Sequence, residues 1–173
     1  MRDFVYGVMT DYPSLIIFLH VSSAVIWVGG LVALWYISKN TSKDLSLEGR
    51  FEIGAAVIKK YFLFLSPFIV TIFFTALFMA FAYKDNAYDP DGFIVDMANV
   101  DVYKFIKLKG SVWGVMTLNM FLMLYTIRNI GSGRLAEKGD LASMWLVNTY
   151  LLPANILLGF TQIYIGVFLR NVF

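Results

Sequence analysis

The chain has 173 residues, 59% of them hydrophobic and 15% charged, with a formal net charge of +2 and a mean hydropathy of +0.69. A soluble domain carries roughly 25% charged residues, and a chain of this size cannot hide the shortfall in a larger core, so its surface must face lipid. The absence of cysteine excludes disulfides, Cys-ligated zinc, iron–sulfur clusters, c-type haem attachment and thiol nucleophiles. The small charge and the lack of a basic run interleaved with aromatics speak against nucleic acid.

Stretches free of Asp, Glu, Lys and Arg run from Tyr12 to Ser38, Tyr61 to Tyr83, Gly110 to Ile127 and Leu141 to Leu169. A membrane crossing needs about 20 helical residues. The third stretch has 18 residues, roughly 27 Å of helix, and is expected to recruit residues from Tyr103 onward, with Lys104, Lys107 and Lys109 snorkelling from its first turns. The sequence therefore predicts an all-α integral membrane four-helix bundle, a single domain over 1–173 with helices at about 12–38, 47–83, 103–128 and 141–169. The first stretch reads as a retained span, being too long for a signal peptide and lacking a basic start and a small-residue cleavage site.

Between helices one and two, Leu47, Phe51, Ala55 and Ile58 recur at helical spacing, so helix two is expected to project beyond the membrane. The connections after helices one and three hold Lys39, Lys43, Arg50, Lys59, Lys60, Arg128, Arg134 and Lys138; the opposite side holds Arg2, Lys84, Arg170 and the three lysines opening helix three. With the membrane-embedded Lys107 and Lys109 set aside, the excess of positive charge places the first group in the cytoplasm. Both termini and the acidic loop from Lys84 to Asp101 then lie outside a bacterial inner membrane. Tyr12, Tyr83 and Tyr103 would form the outer aromatic belt, with Trp35, Tyr36, Tyr61 and Trp145 the inner one. Within the acidic loop, Asp85, Asp89, Asp91 and Gly92 do not make a twelve-residue calcium loop, because Ala87 and Ala98 would occupy its opening and closing ligand positions. Asp89-Pro90-Asp91-Gly92 reads as a plain turn.

His20 is the single histidine. It lies inside helix one, with Ser23, Ala24 and Trp27 following on the same face at i+3, i+4 and i+7. Ionisable groups inside a span are expensive and mark function by default, and neutral imidazole suits haem iron, copper or zinc. Lys107 enters from the same side as His20 and can pair with a carboxylate such as a haem propionate, or snorkel to lipid phosphate. Met9, Met79 and Met97 fall on that side too, and soft thioethers with an imidazole suit Cu(I). Met116, Met120 and Met123 form a helical stripe that reads as packing filler. Pro67 and Pro153 should bend helices two and four, with Thr71, Asn148 and Asn155 among the groups available to the freed carbonyls, and Gly29, Gly30 and Ala33 allow close helix contact.

The run Phe18-Leu19-His20 to Ala24, followed by Trp27-Val28-Gly29-Gly30-Leu31, resembles the first helix of the CopD copper-resistance family and of the related HemJ family of protoporphyrinogen oxidases, both with four membrane helices. Ile106-Lys107-Leu108 resembles the lysine-bearing start of their third helix, and Pro67 and Thr71 sit much as a Pro and Thr do in HemJ. The resemblance implies that His20 is the haem or metal histidine, with Lys107 the functional lysine of HemJ. The further histidines of HemJ and its arginine-rich exit from helix one are missing. Three readings stay open: a copper-handling membrane protein using His20, Met9, Met79 and Met97; a b-type haem redox protein using His20, Lys107 and Trp27; and a cofactor-free accessory membrane subunit. The partner common to all three is the lipid bilayer, and a homo-oligomer or a larger membrane complex fits each.

Overall fold

The computed structural model describes residues 2–40, 46–130 and 138–172. It is all-α: α1 (Arg2–Asp11), α2 (Pro13–Asn40), α3 (Leu47–Ala87), α4 (Met97–Thr126), α5 (Lys138–Leu146), a π-helical turn (Val147–Leu151) and α6 (Leu152–Val172). Three stretches, Pro13–Asn40, Gly49–Ala87 and Asp140–Leu169, are helices long and apolar enough to cross a membrane. α4 falls short of them in apolarity, since it carries Lys104, Lys107, Lys109 and Asn119. From Val115 onward its outward residues are nevertheless apolar, with Leu118 and Phe121 more than half exposed.

α2 packs on α3, α3 on α4, α4 on α6, and α6 back on α2, closing a ring, while the short α1 lies against α3 and α2. Neighbours in the ring run antiparallel. Along α2 and α3, His20 meets Thr75 and Gly30 meets Tyr61; along α4 and α6, Asn155 reaches Met116 and Gln162 reaches Lys109. Close approach depends on glycine at two places. The Tyr61 hydroxyl fills the space where a Gly30 side chain would begin, so Tyr61 is a packing residue. A Cβ on Gly159 would stand 2.9 Å from a Val28 methyl, which lets α2 and α6 touch.

The interior is built from Leu31, Leu34, Ile58, Leu65 and Leu152 together with Met116, Met123 and Met144, all with side chains fully or almost fully buried. The methionine stripe of α4 is thus core, and unbranched thioethers fill the irregular gaps between helices. Phe18, Val25, Leu63, Val70 and Leu157 point outward, each more than half exposed.

α3 is 41 residues long, about 60 Å, or roughly twice the thickness of a hydrocarbon core, and its first turns precede the apolar stretch that opens at Tyr61. Ala55 and Ile58 of those turns are fully buried, and Gly54 leaves room for the Met144 methyl of α5. Lys59 fastens the same end, its Nζ donating to the carbonyls of Arg128 (3.0 Å) and Ile130 (2.7 Å) beyond α4. A cation there satisfies orphan carbonyls and complements the helix dipole.

Two elements differ from the sequence expectation. α4 starts at Met97, six residues before Tyr103, because Asp96 caps it by accepting from the Ala98 N–H at 2.9 Å and because Val100 and Val102 are buried. The last long helix is interrupted by the π turn directly upstream of Pro153. Proline has no N–H to give one turn back and its ring crowds that turn; the backbone widens there, with Leu152 N–H bonding Val147 O. At Pro67 the freed Leu63 carbonyl accepts instead from the Ser66 hydroxyl at 2.8 Å. The loop between α3 and α4 is a turn, as its residues predict. Gly92 has φ +89°, its N–H donates to Asp89 O at 3.1 Å, and the Asp89 carboxylate accepts from Phe93 N–H at 2.7 Å.

Candidate functional site

The polar groups inside the ring gather toward the end that carries the α3–α4 loop. His20 comes from the second turn of α2, with Ser23 and Trp27 of the same face buried beneath it. Its Nδ1 lies 2.9 Å from the Thr75 hydroxyl of α3, and Thr75 is 4% exposed. No hydrogen bond engages Nε2 among the described residues.

From α4 comes Lys109. Its ammonium rests against Gly166 of α6, where a Cβ would stand 3.3 Å from Nζ, and its backbone carbonyl accepts from Gln162 Nε2 at 2.6 Å. The side chain is half-buried and, like His20, comes from the first half of a helix that begins at this end of the ring. Among the described residues it has no carboxylate partner. Four helices thus contribute one feature each: an imidazole, the hydroxyl that holds it, an ammonium without a counter-ion, and the glycine gap that admits the ammonium.

Lys107, singled out from the sequence, points elsewhere. It is exposed, with its Nζ 4.9 Å from the centroid of the Tyr103 ring. Residues two apart on a helix lie on nearly opposite faces, so Lys107 and Lys109 cannot both look inward. A signal for choosing between them was present in the sequence: Val102, Met116 and Met123 are buried at intervals of fourteen and seven residues, and seven before Met116 stands Lys109.

Trp27 is 3% exposed and its indole Nε1 has no partner. The candidate thioethers are spread out. Met79 is half-buried one turn beyond Thr75 on α3, Met9 is half-buried on α1, and Met97 is 62% exposed at the start of α4. No group of three or more His, Cys, Asp or Glu side chains that could hold a metal ion occurs among the described residues.

A second polar cluster ties α4 to α6 deeper in the ring. Asn119 Nδ2 donates to Leu151 O (2.8 Å) and to Asn155 Oδ1 (2.9 Å), and Asn155 Nδ2 donates to Met116 O at 3.3 Å. Asn155 is fully buried, and with its amide engaged at both ends the cluster serves to hold helices together.

An imidazole with one unengaged nitrogen and, at the same end of the ring, a cation with no carboxylate partner among the described residues suit a ligand that brings both an electrophilic centre and negative charge. An ammonium out of water is costly unless paired, and its attraction for an anion strengthens as the surroundings become less polar. Compared with protein-family models, curated proteins and solved structures, the chain matches none.

Proposed function

We propose that this chain is an integral membrane protein of four spans that binds a b-type haem through His20, with Lys109 offsetting the charge of a propionate. The observation that carries the reading is the half-buried Lys109 side chain, which enters the ring from the same end as His20 and has no carboxylate partner among the described residues. The donor set fits haem: a neutral imidazole for iron, a cation for a propionate, and the buried Trp27 face one helical stripe below. Bound haem would supply one-electron redox chemistry. The residues would then fix the ring plane through His20, hold the anionic edge through Lys109, and exclude water with the apolar side chains of α2 and α3.

The copper alternative draws on His20 with Met9, Met79 and Met97. It must place a cation near Lys109, and like charges at low dielectric repel; haem converts the same ammonium into an asset. Four spans, rather than the three most apolar helices alone, are supported by the outward apolar face of α4 and by the closed ring of contacts. The proposed setting is a bacterial inner membrane with both termini outside and lipid as the first partner; a second copy or a larger complex is compatible with it.

The deciding experiment is an absorption spectrum of detergent-purified protein with metal analysis of the same sample. A Soret band with iron in proportion to protein is the expected result. Copper without a Soret band would establish the metal-handling reading in its place, and neither signal would leave an accessory subunit.

Orientation is testable separately, because no native cysteine interferes. Single cysteines replacing the exposed Asn86 and Glu52 should differ toward an impermeant thiol reagent in whole cells, Asn86→Cys reacting and Glu52→Cys not. The opposite pattern would reverse the topology.

A further inference from the structure

The His20 ring bonds the Thr75 hydroxyl through Nδ1, and the direction of that bond decides which ring nitrogen is open. Thr75 Oγ1 is 2.7 Å from Thr71 O and 3.1 Å from Ile72 O, and 2.9 Å from His20 Nδ1. A hydroxyl owns a single proton and can accept at its lone pairs, whereas a backbone carbonyl only accepts. The shortest of the three contacts, to Thr71 O, takes that proton in the i−4 back-bond that threonine favours on helices. Nδ1 then faces a lone pair of Oγ1, and this contact is a bond only if Nδ1 itself carries hydrogen. A neutral imidazole has one N–H, so the lone pair falls on Nε2.

We propose that Thr75 is the positioning residue of the site: by donating its own proton to the α3 backbone it holds His20 as the Nδ1–H tautomer and leaves Nε2 bare as the ligating atom. The arrangement does for His20 what carboxylates and carbonyls do for ligating histidines generally, fixing tautomer and ring orientation through the non-ligating nitrogen. A hydroxyl reaches this outcome only because the helix has already claimed its proton. The burial of Thr75 keeps water from competing for either bond. As a statement about ligation it rests on the reading that His20 binds haem; as a statement about the tautomer it stands without it.

With a single histidine in the chain, the test is clean. Protein labelled with ¹⁵N-histidine, stripped of any bound haem or metal and held in lipid nanodiscs, gives two ring-nitrogen signals whose positions separate protonated from bare nitrogen. Wild type and Thr75→Ser should both show hydrogen on Nδ1 and a bare Nε2. Thr75→Val keeps the side-chain shape without the acceptor; it should lose the preference and weaken hemin binding by about 10- to 100-fold. Hydrogen on Nε2 in the wild type, or a Thr75→Val spectrum and hemin affinity unchanged from wild type, would overturn the proposal. If Thr75→Val fails to fold, the wild-type and Thr75→Ser spectra decide. An Nδ1–H tautomer in a protein that binds no hemin refutes the haem reading and leaves the role of Thr75 standing.

Discussion

Replacing His20 with alanine is expected to remove haem from the purified protein while the protein still inserts and is recovered in normal amount. Insertion depends on the summed apolarity of the span, to which one neutral imidazole contributes little, whereas the proposed haem would lose its one imidazole ligand, His20 being the chain's single histidine. Lys109→Met should weaken hemin binding by about tenfold, the equivalent of roughly 1.4 kcal/mol, because it deletes the cation facing the anionic edge and retains most of the side chain's apolar stem. Lys107→Met is the internal control. Its ammonium lies over Tyr103 in an exposed position, so hemin affinity should stay at the wild-type value. Haem content unchanged in His20→Ala would refute the ligand role. Hemin affinity lost in Lys107→Met and kept in Lys109→Met would return the functional lysine to the position that the family resemblance suggested.

Gly159→Ala should destabilise the protein by about 1–3 kcal/mol, the usual cost of forcing a methyl into a packed interior. The added carbon would stand 2.9 Å and 3.1 Å from the two methyls of Val28, and a β-branched side chain on a helix has essentially one rotamer and cannot swing aside. The contact closes the ring between α2 and α6. Without it the helix carrying His20 and the helix carrying Gly166 would separate. Thermal unfolding in detergent would show the loss as a lowered midpoint. The double substitution with Val28→Ala, which vacates the space, should recover much of it. A Gly159→Ala protein as stable as wild type, or a double variant no better than the sum of its parts, would show that the two helices are not pressed together here.

Much of the architecture was legible in the chain because it follows from local physics. Charge-free stretches of sufficient length identified the apolar parts of α2, α3 and the α5–α6 segment. The spacing of Leu47, Phe51, Ala55 and Ile58 predicted that the helix begins well before its apolar stretch, and Asp89 to Gly92 announced a turn through residue types that make turns anywhere. The early start of α4 was harder to see. Its first two turns are mixed in polarity, and what fixes them is the Asp96 cap together with the burial of Val100 and Val102.

The site divides along the same line. His20 stood out because an imidazole inside an apolar span is conspicuous in any sequence. Its partner did not, since Thr75 lies 55 residues away on a helix where threonine is unremarkable. The lysines show why composition and position were not enough. Lys107 and Lys109 have the same chemistry and nearly the same depth, and they differ by about 200° of rotation around α4. Which of them turns toward the interior was decided by the rotational setting of the whole helix, and that setting is fixed by burying Met116, Met120 and Met123 against the other helices. The sequence by itself determined that the chain is helical and rich in membrane-compatible spans, because those properties depend on each segment's own apolarity and hydrogen bonding. Only the tertiary structure decided which lysine turns inward and which hydroxyl meets the imidazole, because helix rotation is set by packing between segments far apart in the chain.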